Sequence, residues 1–387
     1  MPAMDFKAHN RRSEEIWAAW HAGRPIRVPV TLYADTRNWL HEPDENRKGV
    51  TLSAYLQDPA LMLDCQVRAR DWIRHTYLSD DGMGDPEDGW SVTVDCQNYL
   101  EPVWFGATLH DGLEPHAPAF LGDADKWRIF DRGVPDAFAG IGGQVRTFFE
   151  WFQDRTRDFT YKGIPLTHVH MPFNMTGTDG PFTIACGIRG VENFLCDLLE
   201  DPEYAVQLLD FITTAIIGRI RAVRAYLGEP SRSSGFGFGD DAIVLLSPAM
   251  YRTFVLPLHR RLYESLAAED GSRGIHLCGD AQRFFPILAG ELGVRDFDTG
   301  FPIDFARLYR ELPADTRVNG GPEVSLLRDG TPAQVEARVR EILGSGVMDL
   351  SRRFVLREAN ALSPGTPAEN VNAMYRACER YGGYGAG

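Results

Sequence analysis

Short apolar or β-branched runs alternate along the chain with longer stretches of helical periodicity. The runs are Ile26 to Tyr33, Val92 to Cys96, Leu166 to Asn174, Gly274 to Cys278, Val294 to Thr299, Thr316 to Asn319 and Phe354 to Leu356. Each ends in small or polar residues, which reads as a strand running into a turn. Helix starts share one local grammar, a capping residue followed by proline: Asp201-Pro202, Ser247-Pro248, Thr331-Pro332 and Thr366-Pro367. The first side chain accepts an otherwise orphaned helical N–H, and proline at the first helical position lacks a donor that would go unused. Gln334 after Thr331 and Glu369 after Thr366 complete expected capping boxes. The helix from Pro202 sets Ala205, Leu208, Leu209, Ile212, Ile216 and Ile220 near one face. Strand, turn and helix in repetition predict a parallel sheet with crossover helices. The expected fold class is α/β: a TIM-type (β/α)8 barrel over 26–387, with an N-terminal helical extension over 1–25. Periodicity alone also accommodates an open, doubly wound sheet.

Composition narrows the function classes. A chain of 387 residues with 44% hydrophobic residues can bury a large single core. Its formal charge of −14 excludes a general nucleic-acid binder, which needs clustered Lys and Arg. The basic stretch Arg219 to Arg224 reads as a solvated helix face. No apolar run approaches the length of a membrane span. Met1 to Arg12 has no apolar stretch ahead of its charges, so no signal peptide and a cytoplasmic location are expected. Six cysteines, at 65, 96, 186, 196, 278 and 378, are too sparse for a disulfide framework and leave thiols free.

Gly274-Ile275-His276-Leu277-Cys278-Gly279-Asp280 carries the sharpest chemical signal. Residues two apart on a strand project to one face, so His276 and Cys278 point the same way at the strand's C-terminal end. Barrel active sites are built there. Imidazole and thiolate are two of the donors zinc takes; a packed histidine and a buried cysteine are the bland alternative. Gly237-Phe238-Gly239-Asp240-Asp241 offers adjacent carboxylates, able to accept a proton, hold a cation or ligate a metal, or else to cap and brace a loop. Arg357-Glu358-Ala359-Asn360 follows the last strand, with Glu358 and Asn360 on one face. Tyr33 with Asp35, Asn98, His168 with His170, Asn174, Asp298 and Asn319 complete a set of polar strand ends. From these, Asp240, Asp241 and Tyr33 are candidate catalytic groups, and Asn98, Asn174 and Asn360 candidate substrate-binding groups. Dinucleotide, P-loop, His-Glu-x-x-His and Gly-x-Ser-x-Gly signatures do not occur.

Several blocks resemble the uroporphyrinogen-decarboxylase-like superfamily. They are Gly180-Pro181-Phe182-Thr183-Ile184-Ala185 with Arg189-Gly190-Val191-Glu192 and Leu198 to Pro202, then Asp240-Asp241 with Leu246-Ser247-Pro248, Tyr251, Phe254 and Pro257. His276-Leu277-Cys278-Gly279 and Pro364-Gly365-Thr366-Pro367-Ala368-Glu369-Asn370-Val371 follow. Together they cover about 165 to 383, and Leu100 to Gly106 is similar to an aromatic-glycine segment of the family. The resemblance implies a TIM-type barrel. It implies either a decarboxylase or a zinc-dependent methyltransferase working with a corrinoid.

Decarboxylases of this family carry an arginine-rich N-terminal motif, whereas Tyr33 to Trp39 holds only Arg37. The methyltransferase branch carries His-x-Cys on a strand, as His276 and Cys278 do, and a third zinc ligand, a cysteine, at the position of Asn360. Asn being a poor zinc ligand, a carboxylate such as Glu358 or Asp241 would have to complete the set; His276, Cys278 and Glu358 are the candidate metal ligands. No Asp-x-His-x-x-Gly corrinoid signature occurs, so a corrinoid would come free or on a partner protein. The expected function is methyl transfer between a small substrate and a corrinoid through a zinc site. A decarboxylase-type lyase with Asp241 as acid/base, or a non-catalytic binder of a tetrapyrrole or small molecule, are the alternatives. A homo-oligomer is compatible with all of them, and no nucleic acid or membrane partner is expected.

Overall fold

The computed structural model describes residues 4–110 and 115–385. Its strands are β1 (Trp90–Thr93), β2 (Thr160–Tyr161), β3 (Ile164–His170), β4 (Ser233–Gly239), β5 (Ala267–Leu277), β6 (Asp296–Thr299), β7 (Arg317–Gly320) and β8 (Phe354–Leu356). β4 to β8 form a parallel sheet in chain order, β1 pairs in parallel with β3, and β2 is a short antiparallel partner of β3. The parallel α/β pattern expected from the sequence is therefore present. Among the described residues no ladder joins β3 to β4; a single bond from Gly239 N–H to the Thr178 carbonyl, 3.1 Å, links them there.

Alternation along the strands separates two faces. Phe238, Ile275, Phe297, Val318 and Phe354 are in register and buried against the helices. Gly239, His276, Asp298 and Asn319, one position on, share the other face. From β4 to β7 this row is thus glycine and polar groups, and it ends at buried Val355 on β8, while the main hydrophobic layer lies on the other face. β4, absent from the predicted strands, is hidden by its composition: Ser-Ser-Gly-Phe-Gly-Phe-Gly has the alternation, but glycine holds the inner positions 235, 237 and 239. At Gly235 a Cβ would lie 2.4 Å from Ser272 Oγ, so a side chain there would have to turn the serine hydroxyl aside.

The run Ile26 to Tyr33 forms only isolated bridges, Arg27 with Gly383 and Val30 in parallel with Leu356. Its other side is satisfied by a side chain. Buried Asp80 accepts from Val30 N–H (2.7 Å), the Arg27 guanidinium (2.8 Å), Ser13 (3.0 Å) and Tyr375 (3.2 Å). A carboxylate stands where a neighbouring strand would be.

The expected caps at Asp201, Ser247 and Thr331 are present, accepting from Tyr204, Met250 and Gln334 N–H. The Thr331–Gln334 capping box is complete. The box expected at Thr366 is not formed: Thr366 Oγ1 donates to the Ser363 carbonyl instead, and Pro367 precedes the helix Ala368–Tyr381 without a side-chain cap. The basic stretch 219–224 also departs from expectation. Arg219 is buried against Glu101 and over the Trp104 ring, and Arg224 donates to the carbonyls of Ser231 and Leu266; only Arg221 of the three is exposed. Glu101 in turn accepts from Thr178 Oγ1 (2.6 Å) and Asp179 N–H (2.8 Å), fixing the loop after β3.

Breaking a buried pair strands its other charge, which costs about 3–5 kcal/mol. Arg219→Ala is therefore expected to lower unfolding stability by about that much in denaturant titration. Arg221→Ala should change it by less than about 0.5 kcal/mol.

Candidate functional site

β5 ends in His276-Leu277 with Cys278 immediately after it, and its register with β6 sets His276 opposite Asp298. His276 Nδ1 donates to Asp298 Oδ2 at 2.6 Å. That contact fixes the ring so that Nε2 stands 3.0 Å from Cys278 Sγ. Asp298 is itself 2.9 Å from the Arg357 guanidinium. Burial alone would pull the imidazole down, but the Asp298 carboxylate and the Cys278 sulfur outweigh it and push His276 up to about 11. Burial raises the Cys278 thiol, with His276 opposing.

The adjacent carboxylates separate. Asp241 Oδ1 accepts from Cys278 N–H at 2.7 Å and lies 3.7 Å from His276 Nε2. One donor atom each from Asp241, His276 and Cys278 falls within a 4.8 Å group. Asp240 turns the other way and is fully buried. It accepts from Thr183 N–H (2.7 Å), Thr183 Oγ1 (2.8 Å) and His259 Nε2 (2.8 Å), bracing the N-terminus of the helix Pro181–Arg189. Asp240, expected as a catalytic group, is thus placed within the scaffold and turned away from His276 and Cys278. Gly180 at φ +78° lets the chain pass, since a Cβ there would lie 2.5 Å from the Asp240 carboxyl carbon.

Glu358 is likewise distant from the expected role. It is fully buried, with Oε1 accepting Tyr33 N–H at 2.7 Å and Oε2 without a partner. It ties the first strand segment to the end of β8, and Asp241 takes the place beside His276 and Cys278 that Glu358 was expected to fill. Asn360 adopts φ +108° and its side-chain oxygen accepts Ala361 N–H at 2.8 Å, so it shapes a turn rather than facing a ligand.

Tyr33, Asn98 and Asn174 do converge. They line a cavity of about 450 Å³ together with Asp35, Arg37 and Asp95. The Arg37 guanidinium pairs with Asp35 at 2.7 Å, and Asp95 accepts from Tyr55 and Gln97. Two contacts tie this cavity to the donor group. The Arg357 guanidinium, paired with Asp298, lies over the Tyr33 ring, 5.8 Å from its centroid. On the other side Asn174 donates to Asp179 at 2.9 Å. Asp179 Oδ1 and the His276 ring flank one spot, each 4.0 Å from where a Cβ on Gly239 would stand. Burial, reinforced by Glu101, pushes the Asp179 carboxyl up to about 7. Asp179 and Asp95 were not among the expected site residues; the available signal was a carboxylate beside Gly180-Pro181 and one just past β1.

A parallel α/β sheet bearing nitrogen, sulfur and oxygen donors at one strand end defines an enzyme-like class of site. A family profile described as uroporphyrinogen decarboxylase (URO-D) matches residues 161–381, and the chain belongs to that family. It is 33% identical over 207 residues to a methylated-thiol--coenzyme M methyltransferase of Methanosarcina mazei, covering 51% of each chain. Over 182 residues it is 28% identical to a uroporphyrinogen decarboxylase of Synechococcus sp., covering 46% of this chain and 49% of that one. These alignments span about half the length of the curated relatives. A solved methyltransferase from Methanosarcina mazei shares the fold, with a TM-score of 0.65 at 18% identity over 95% of this chain and 98% of the other. The family is the one the sequence blocks resemble, and the similarity reaches its methyltransferase branch.

Burial moves Glu358 from 4.5 up to about 7 and Asp179 from 3.8 up to about 7. Raised carboxyls bind more protons folded than unfolded, so they contribute stability at low pH that is lost as pH rises through that window. Glu358→Gln is expected to flatten the fall in melting temperature between about pH 5 and pH 7. A slope unchanged from wild type would contradict a protonated Glu358.

Proposed function

We propose that the protein is a methyltransferase-like enzyme that moves a methyl group between a small substrate and a corrinoid. In this reading Asp241, His276 and Cys278 hold a zinc ion, and the strand arc, with the segment around Val30 as one member, closes as a (β/α)8 barrel. The observation that carries it is the convergence of those three donors, with Asp298 behind the imidazole in the carboxylate–histidine arrangement that metal ligands use. The donor set suits zinc, which takes cysteine sulfur, histidine nitrogen and carboxylate oxygen and keeps a position open for substrate when three protein ligands bind it. Zinc held there would supply a Lewis acid able to favour the thiolate of an acceptor or to polarise a methylated heteroatom.

The chain's own residues do the rest. Asp298 accepts the Nδ1 proton and leaves Nε2 directed at the shared point. Asp241, held by Cys278 N–H, supplies oxygen where the family places a further cysteine. Asp179, near neutrality beside the same point, can hold or release a proton at Oδ1 as a heteroatom gains or loses its methyl group. An apolar recess of about 430 Å³, lined by Thr183, Val191, Val244, Leu245 and Cys278, adjoins the donors and supports approach of a corrinoid, free or on a partner. No helix among the described residues is long and apolar enough to cross a membrane.

Plasma mass spectrometry on protein purified without a metal-affinity tag tests the site. The expected result is about one zinc per chain, lost in His276→Ala and Cys278→Ser and depleted in Asp241→Asn, but retained in Glu358→Gln. Asp298→Asn should weaken zinc binding about 10- to 100-fold. Metal-free wild type, purified with thiols protected, would end the zinc reading and turn attention to carbon dioxide release.

A further inference from the structure

Arg70 lies on the helix Pro59–Thr76, whose Gln66, Ala69, Arg70 and Ile73 share one face and line the 450 Å³ cavity. Arg70 and Ile73 also border a second cavity of about 290 Å³, with Arg74, Asp81 and His168. Arg70 is exposed, and the surface it presents lines both cavities. Burial, with no carboxylate close enough to oppose it, pulls its pKa down.

The buried guanidiniums have partners: Arg27 has Asp80, Arg189 has Asp197, Arg219 has Glu101, and Arg224 has carbonyls. Arg70 makes no hydrogen bond or ion pair among the described residues. The nearby carboxylates of the larger cavity are already engaged. Asp35 takes two bonds from Arg37, at 3.0 and 2.7 Å. Asp95 takes Tyr55 Oη at 3.0 Å, Gln97 N–H at 2.9 Å and Gln97 Nε2 at 2.7 Å. Arg74, one turn on, is spent on the Gly84 and Met83 carbonyls and adds positive charge. His170, held down by burial, Arg70 and His168, adds a neutral imidazole. A guanidinium on a cavity wall with no protein partner leaves its donors free for a ligand, and its fork matches an oxyanion.

We propose that Arg70 anchors an oxyanion group, a carboxylate, sulfonate or phosphonate, carried by the small substrate of the methyl transfer proposed above. The inference rests on that reading only for what lies at the ligand's other end. The anion docks at Arg70. The remainder runs along the cavity past Tyr33 and Asn98 to Asn174, where Asp179 and the donor group begin. Arg70 is thus a positioning residue for substrate, remote from the reacting atoms.

Anion binding is measured without turnover, by calorimetry and thermal shift at constant ionic strength in chloride. The probes are acetate, methanesulfonate and methylphosphonate, with acetamide as the neutral comparison. At least one anion should bind and raise the melting temperature of wild type, acetamide should not, and which anion binds identifies the head group. Arg70→Gln should weaken that binding about tenfold or more. Without anion it should melt no lower than wild type, because the substitution breaks no hydrogen bond or ion pair of the folded chain. Arg70→Lys, which keeps the charge but loses the fork, should fall between them and decides the matter if Arg70→Gln does not fold. No anion binding above chloride in wild type, or equal binding in Arg70→Gln, overturns the anchor. Cys278→Ser should bind the anion as wild type does, so loss of zinc with anion binding intact sinks the transfer reading alone. Zinc retained with Arg70→Gln indifferent sinks the anchor alone.

Discussion

The register of β4, β5 and β6 sets everything at the donor group. Parallel pairing puts Gly239, His276 and Asp298 on one line across three strands. Slipping β6 by one residue would turn Asp298 to the helix side and bring Phe297 against the imidazole. The outer row of Phe238, Ile275 and Phe297, packed under the helices, holds the register. Hydrophobic burial on one face of the sheet thereby fixes, at ångström scale, the hydrogen bond that orients a ring on the other. The chemistry depends on packing that never touches it.

Around that line, charged residues divide into those that build and those that face the opening. Asp80, Glu101 and Asp240 are all fully or nearly buried, and each satisfies several donors from separate parts of the chain. Asp80 replaces a missing strand partner, Glu101 pins the loop leading to Asp179, and Asp240 braces a helix start. Asp241, Asp298 and Asp179 are only partly covered and turn toward shared space. Adjacent in sequence, Asp240 and Asp241 fall into opposite groups because the chain reverses between the end of β4 and the following turn.

What could be read from the sequence follows the same division. His276 and Cys278 were legible because strand periodicity is local, and so were the caps at Asp201, Ser247 and Thr331. β4 was not, since glycine carries no hydrophobic signal on the inner face. Which carboxylate lies beside His276 and Cys278 was not legible either: Glu358 and Asp241 are equally acidic, and only the three-dimensional path shows that one is sealed under Tyr33 and the other lies beside the thiol. Arg219 and Arg224 looked like surface charge because their partners, Glu101 and the carbonyls near residue 231 and 266, come from elsewhere in the chain. Thr366 satisfied a capping pattern that the Ser363 carbonyl captured first.

The glycine wall of β4 has a consequence for how such a site can diversify. A wall without side chains has no rotamers, so its shape is set by backbone alone and does not adapt to a ligand. It can be thickened only in single-methyl steps, and unequally. At Gly239 a new Cβ would find its nearest neighbours at about 3.9 to 4.0 Å, and at Gly237 the Gly274 carbonyl at 3.4 Å; at Gly235 it would meet Ser272 Oγ at 2.4 Å, the end of a side chain that can turn away. Between 237 and 239 the room for change therefore grows toward the C-terminal end of the strand, beside Asp179 and His276. A lineage adjusting the size of the group brought to those residues has a graded dial at 239 and a tighter one at 237, where the neighbour is backbone.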